Sequence, residues 1–184
     1  MGQSLRLMHS TEAIGYGKVI NNEEAEFLEF KDWIAGEDMQ KRFRYVKENF
    51  LLGEEHGSLP LAIKILDDFT KNKKSSYCHD DFNTGNIFAT DPITIFDPNP
   101  RFNNGYYDLS GAILSTIWIG EVDEARNQIL SGYFGDESYD RKALHAFLLL
   151  RSYYKFPYGN KTKKISQMKN VSEFLLKNKY LLGE

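Results

Sequence analysis

A single cysteine, Cys78, leaves this sequence without an internal disulfide framework. The fold must therefore rest on its core, and a reducing compartment suits it. Long apolar runs are also lacking. Ala146–Leu150 is typical of the longest, far short of the ~20 residues needed to cross a bilayer. No apolar signal segment opens the chain. The Met1–Gly2 start has Arg6 where myristoylation wants Ser or Thr. Cations are not in excess either. A net charge of −3 gives no basic field for nucleic acid or an anionic membrane. Repeats, low-complexity tracts and interdomain linkers are absent. These absences predict a soluble cytoplasmic protein that binds neither nucleic acid nor membrane.

What is present is enough for a core. The chain has 184 residues, 41% hydrophobic and 14% aromatic, close to the average for globular domains and too apolar for disorder. Residues 1–184 read as one domain. Leu5, Leu7 and Met8 form a short amphipathic segment, and His9 at its end is expected to cap or pack. A loop punctuated by Gly15 and Gly17 follows. Residues 23–50 carry helix-like spacings broken near Gly36. The clearest helix starts at Ser58 and Pro60, shows Leu59, Ala62, Ile63, Leu66 and Phe69 on one face, and ends in Lys71, Lys73 and Lys74.

The middle of the chain changes character. Ile87–Thr90 and Ile93–Phe96 read as two strands joined by the turn Asp91–Pro92. Helical patterns then return over 108–119, 121–134, 138–152 and 166–180. The predicted fold is α+β and mostly helical, with one small β-hairpin at its centre.

Acids and amides frame that hairpin. The stretch His79–Asn86 precedes it and Asp97 follows it. Antiparallel pairing brings the two ends of a hairpin together, so Asn86 and Asp97 should lie side by side, with Asp81 on the incoming loop. Phosphoryl transfer needs this combination. Hard oxygen donors hold Mg²⁺ on nucleotide phosphates, and a separate Asp orients the attacking hydroxyl.

The pattern His79-x-Asp81-x-x-x-x-Asn86 matches the catalytic-loop signature of kinases. The fuller string His79–Ile87, the continuation Ile95–Phe96–Asp97–Pro98 and the helix opening Tyr107–Asp108–Leu109–Ser110 resemble the aminoglycoside phosphotransferase and choline kinase family. The resemblance is specific from Tyr77 to Ser110. It implies a kinase-like C-terminal lobe with Asp81 as catalytic base and Asn86 and Asp97 as metal ligands. His79 and Asp108 would be structural supports of the site. The implied cofactors are Mg²⁺ and ATP or GTP, and the implied partner is a small molecule bearing a hydroxyl. Asp80 departs from the glycine usual at its position in the aminoglycoside enzymes and adds a charge beside the base.

Two other motifs are decoys. Gly15–Val19 imitates a phosphate loop but follows Leu5–Ser10, the segment resembling the helix after the hinge between lobes, too late for that role. Lys64 imitates a kinase lysine but lies within the best-marked helix. The expectation is therefore a chain lacking the N-terminal nucleotide lobe, which a longer chain or a second polypeptide would supply. A catalytically inactive kinase-like binding domain is the alternative, and a hydrolytic metal site lacks the extra His or Asp ligands it would need. Acids after Trp118 (Glu121, Asp123, Glu124, Asp136, Glu137, Asp140) and the aromatics Tyr106, Tyr107 and Trp118 offer a cationic acceptor something to bind, with a solvated helix face and core packing as the plainer readings. Cys78 reads as a small core residue.

Overall fold

The computed structural model describes residues 1–49, 57–88, 90, 93–120 and 123–183. Helix α1 (Gly2–Met8) leads into three short strands, β1 (Glu12–Ala13), β2 (Tyr16–Val19) and β3 (Ala25–Phe27). Helices α2 (Phe30–Ala35), α3 (Glu37–Asn49) and α4 (Leu59–Thr70) follow. Next come strands β4 (Ser75–Cys78), β5 (Ile87–Phe88), β6 (Thr94–Ile95) and β7 (Arg101–Asn103). Helices α5 (Gly105–Ile119), α6 (Asp123–Phe134), α7 (Arg141–Lys161) and α8 (Ile165–Lys177) complete the fold.

The core is built around α5 and α7, which pack on each other and on α8, with α4 packed on α7. Both are apolar around much of their circumference, as helices enclosed by protein must be. From Leu109 to Ile117, α5 buries every residue but Ser115. Asn104 caps its start by accepting from the Tyr106 N–H at 3.0 Å, and Gly120 closes it at φ 87°, a left-handed conformation glycine adopts without strain. Asp140 caps α7 in the same way, accepting from the Ala143 N–H at 2.9 Å.

Helix α4 follows its sequence pattern, burying Ala62 and Leu66 and exposing Lys64. Ser58, however, is buried in helical backbone rather than the extended form of a capping serine. Helix α7 runs nine residues beyond the expected end at 152, through Pro157. A proline removes one ladder bond and strains the preceding turn, yet packing holds this helix together. Phe156 is buried, and Gly159 lies so close to Met168 and Trp118 that a Cβ there would meet them at 2.5 and 2.7 Å.

The β structure exceeds the single hairpin of the sequence reading. β5 and β6 form that hairpin, pairing Ile87 with Ile95 and Phe88 with Thr94, while Ala89, Asp91 and Pro92 fall outside the described residues. A separate antiparallel sheet has the order β1-β4-β7-β2-β3. Residues 12–13 and 16–19 therefore belong to strands rather than a loop, and 25–27 to a strand rather than a helix. Two to four residues are too short to show alternation in sequence, so partners decide them, 62 to 85 positions away for β1 and for β2 on β7, and 6 to 11 away for β3 on β2. Gly17, at φ 103°, lets β2 pass close to Phe27 and Trp33. Of the phosphate-loop imitation, Tyr16–Val19 thus lie in a sheet strand, and Gly17 and Lys18 pair with β7. Among the described residues, no helix is long and apolar enough to cross a membrane.

Candidate active site

The loop from β4 to β5 is anchored from below by the first turn of α5. Asp108, fully buried, accepts the backbone N–H of His79 at 2.7 Å and of Asp80 at 2.9 Å. Burial alone would raise this carboxyl. The hydrogen bond and charge of His9, the His79 N–H and nearby Arg151 outweigh it and hold the group below the usual carboxylate range. His9 closes α1 and reaches Asp108 at 3.4 Å and the Tyr133 hydroxyl at 2.8 Å, so it both caps and packs. Cys78 lies beside this pair, completely buried, with its thiol pushed up chiefly by burial and directed at the Asn103 and Asn104 carbonyls. A thiol so placed is inert packing.

His79 ties the loop to the hairpin. Its Nε2 donates to the Phe96 carbonyl at 3.1 Å, and its own carbonyl accepts from the Asn99 N–H at 2.9 Å. The Phe96 N–H in turn donates to the Asn86 carbonyl at 3.1 Å. Asn86 thus stands opposite Phe96 at the base of the hairpin, with Asp97 the next residue along.

Asp81 is exposed at the loop's surface. Asn83 donates to its Oδ1 at 2.9 Å and Asn86 to its Oδ2 at 3.0 Å, and both amides also reach its carbonyl. Each carboxylate oxygen keeps a lone pair for another partner. The amide oxygen of Asn86 and the carboxylate of Asp97 accept no hydrogen bond from the described residues, and Asp97 holds a left-handed φ of 55°. The structure thus brings Asp81, Asn86 and Asp97 to one end of the hairpin and sets His79 and Asp108 behind them.

Asp80 is not a loose charge beside Asp81. It is buried, at φ 61°, in the left-handed region where glycine is at ease. Its carboxylate meets Arg151 Nη1 on one oxygen, and Arg101 Nε at 2.6 Å and Asn99 Nδ2 at 3.1 Å on the other. The Arg101 approach is ionic without hydrogen-bond alignment, which leaves Nε without a hydrogen-bond partner. Arg151 Nη2 also takes the Asp80 carbonyl at 2.7 Å, and its guanidinium lies 4.2 Å from the Tyr107 ring centre.

Beside Asp81 opens a cavity of about 520 Å³, a size suited to a small molecule. Five cations border it, Arg42, Arg101, Arg151, Lys155 and Lys164, against two carboxylates, Asp80 and Asp81. None of these cations was singled out from sequence. The signal existed, since Arg151, Tyr154, Lys155 and Tyr158 recur at the spacing of one helix face, but a helix ended at 152 hides it.

The remaining expected groups go elsewhere. Asp123 pairs with Arg126, Glu137 pairs with Arg6, Asp140 caps α7, and Glu121 is outside the described residues. Tyr106 packs on Phe69 and Phe134, Tyr107 is buried, and Trp118 alone of the three aromatics borders the cavity.

Comparison with solved structures places this fold among kinase-like ones. A choline/ethanolamine kinase family protein from Mesorhizobium loti aligns with a TM-score of 0.63 and 15% identity, over 100% of this chain and 60% of that one. A thermostable mutant of aminoglycoside phosphotransferase APH(4)-Ia, in its apo form, aligns with a TM-score of 0.54 and 15% identity, over 90% of this chain and 58% of that one. The chain thus spans about three fifths of the length of either structure. No family model and no curated protein matches the sequence.

Proposed function

We propose that this chain is the catalytic-loop lobe of a Mg²⁺-dependent small-molecule kinase, transferring the γ-phosphoryl group of ATP or GTP to a hydroxyl. The observation that carries the reading is Asp81: an exposed carboxylate, oriented by two amides, at the edge of a cavity of about 520 Å³. The kinase-like fold and the loop anchored by Asp108 support it. In the transfer, the acceptor oxygen bonds to the γ-phosphorus, the bond to the β-bridging oxygen breaks, and the nucleoside diphosphate leaves. Asp81 accepts the hydroxyl proton.

The donor set fits a hard cation in part. Asn86 and Asp97 present two oxygens not engaged by the described residues, and Mg²⁺ takes the rest of its shell from water and phosphate. When bound, Mg²⁺ supplies charge neutralisation at the phosphate oxygens. The other nucleotide contacts are assigned, within this proposal, to a lobe from a longer chain or a second polypeptide.

Asp81→Asn tests the reading in an enzyme that has both lobes. The substituted side chain is nearly isosteric but cannot take the proton. Steady-state kinetics should show kcat falling roughly 10²–10⁴-fold with nucleotide KM little changed. A variant turning over within about threefold of wild type would remove Asp81 as the base.

A further inference from the structure

The cavity beside Asp81 has an electrostatic character opposite to that of a site for amines. Arg101 and Arg151 are both paired with Asp80. Arg42, Lys155 and Lys164 have no carboxylate within 4.0 Å among the described residues, although Asp81 lies near enough to Lys155 to act on its charge. Three cations of one cavity, drawn from α3, α7 and the turn before α8, thus lack a close ion-pair partner among the described residues, with Asp38 acting on Arg42 only at longer range.

Lys155 is the most constrained of the three. Its side chain is half-buried, and its single hydrogen bond among the described residues, to Ser115 Oγ, is long at 3.5 Å. Burial pushes it down to about 8, and the charges of Arg151 and Lys164 add to the drop. An enclosed lysine without a carboxylate partner is an unusual arrangement. An anion entering the cavity would supply the missing partner.

The aromatic faces point the same way. A quaternary amine is recognised by open aromatic faces. Here Arg42 lies 4.0 Å from the centre of the Tyr154 ring and Arg151 lies 5.0 Å from it, while Lys164 lies 5.0 Å from that of Tyr158. The protein's own cations already occupy these rings. The stacking also orders Arg42, so binding an anion requires little further ordering. Asn86 and Asp97 do not border this cavity, which puts the cations on the acceptor side of Asp81 and away from the metal-ligand pair.

We propose that the acceptor carries an oxyanion, a phosphate or a carboxylate, on the same small molecule as its reacting hydroxyl, and that Arg42, Lys155 and Lys164 bind it. This assignment of the acceptor rests on the phosphotransferase reading; the anion site itself does not.

Calorimetric titration of the chain at low salt, without nucleotide, separates the two. The probes are glycerol 3-phosphate, glycerate, glycerol and choline. At least one of the two anions should bind saturably, and the stronger identifies which oxyanion the site prefers. Lys155→Met should weaken that binding roughly ten- to hundredfold, Arg42→Gln should weaken it as well, and Lys155→Arg should restore much of it. Lys64→Met, which alters an exposed lysine of α4, should change nothing. Choline or glycerol binding as tightly as both anions would overturn the proposal. So would wild-type anion affinity in a folded Lys155→Met protein. If that variant does not fold, Arg42→Gln decides by the same criterion. In an enzyme with both lobes, anion binding that depends on Lys155 but no transfer from ATP would uphold the anion site and defeat the phosphotransferase reading. Transfer to neutral or cationic alcohols, indifferent to Lys155→Met, would uphold that reading and defeat the anionic acceptor.

Discussion

The two halves of the loop between β4 and β5 are built on opposite principles. His79 and Asp80 are buried, with their backbone N–H groups on Asp108 and the Asp80 carboxylate between Arg101 and Arg151. Asp81, only one residue further on, is exposed and held by two amides alone, and Asp97 across the hairpin holds no partner among the described residues. The buried half has its polar groups largely matched and resists change. The open half leaves oxygen lone pairs unengaged, which costs little in water and leaves them available to a ligand. A buried, paired carboxylate and an exposed one are thus separated by a single peptide bond.

The sharpest way to break this contrast is Asp80→Gly. Glycine is usual at this position in the aminoglycoside enzymes, but here it would remove a carboxylate buried against two arginines. Removing one partner of a buried ion pair costs ~3–5 kcal/mol, and glycine at a left-handed φ returns only ~1 kcal/mol. A net loss of roughly 2–4 kcal/mol is expected from urea unfolding. The double variant Asp80→Gly/Arg151→Met should recover part of it. Asp80→Gly within about 0.5 kcal/mol of wild type would mean that the buried half is not anchored through Asp80.

His145 offers a somewhat smaller test, as a buried ring without the partners that secure His9 and His79. Its Nδ1 has no hydrogen-bond partner among the described residues, and burial pushes its pKa down to about 4. The unfolded chain takes up this proton near the ordinary value of ~6.5, and the folded protein refuses it until about pH 4. Stability from this group is therefore full above ~6.5 and declines as pH falls towards 4, by at most roughly 3 kcal/mol. His145→Gln should flatten the slope of stability against pH in this window. An unchanged slope would show that the ring is protonated in the folded state.

The smallest expected effect lies in the open half. Asp97→Asn should leave unfolding stability within about 0.5 kcal/mol of wild type, as exposed side chains do. In an enzyme with both lobes it should raise the Mg²⁺ concentration required for activity, because a ligand charge is lost. A large stability loss from Asp97→Asn would erase the distinction between the two halves.

How far the sequence carried the fold depended on the length of each signal. Helix α4 was legible because twelve residues display more than three turns of periodicity. The hairpin was legible because two β-branched runs flank a turn. The five-stranded sheet was not, since β1 and β7 have only two and three residues. Such strands exist because distant segments complete their hydrogen bonds. The site divides in the same way. Asp81, Asn86 and Asp97 form a local pattern that hairpin geometry brings together. Arg101 and Arg151 stand 21 and 71 positions from Asp80, so no local reading links them to it.

The sequence by itself determined the order of the helices, the hairpin and the spacing of its acids and amides, because these depend on neighbours within a few residues. The tertiary structure alone decided how charge is distributed around them. It neutralised Asp80 with two arginines, sent Asp123 and Glu137 to surface pairs and Asp140 to a helix cap, and brought Arg42, Lys155 and Lys164 to one cavity. Electrostatic environment is a sum over everything nearby in space, and closeness in space is what a linear chain does not record.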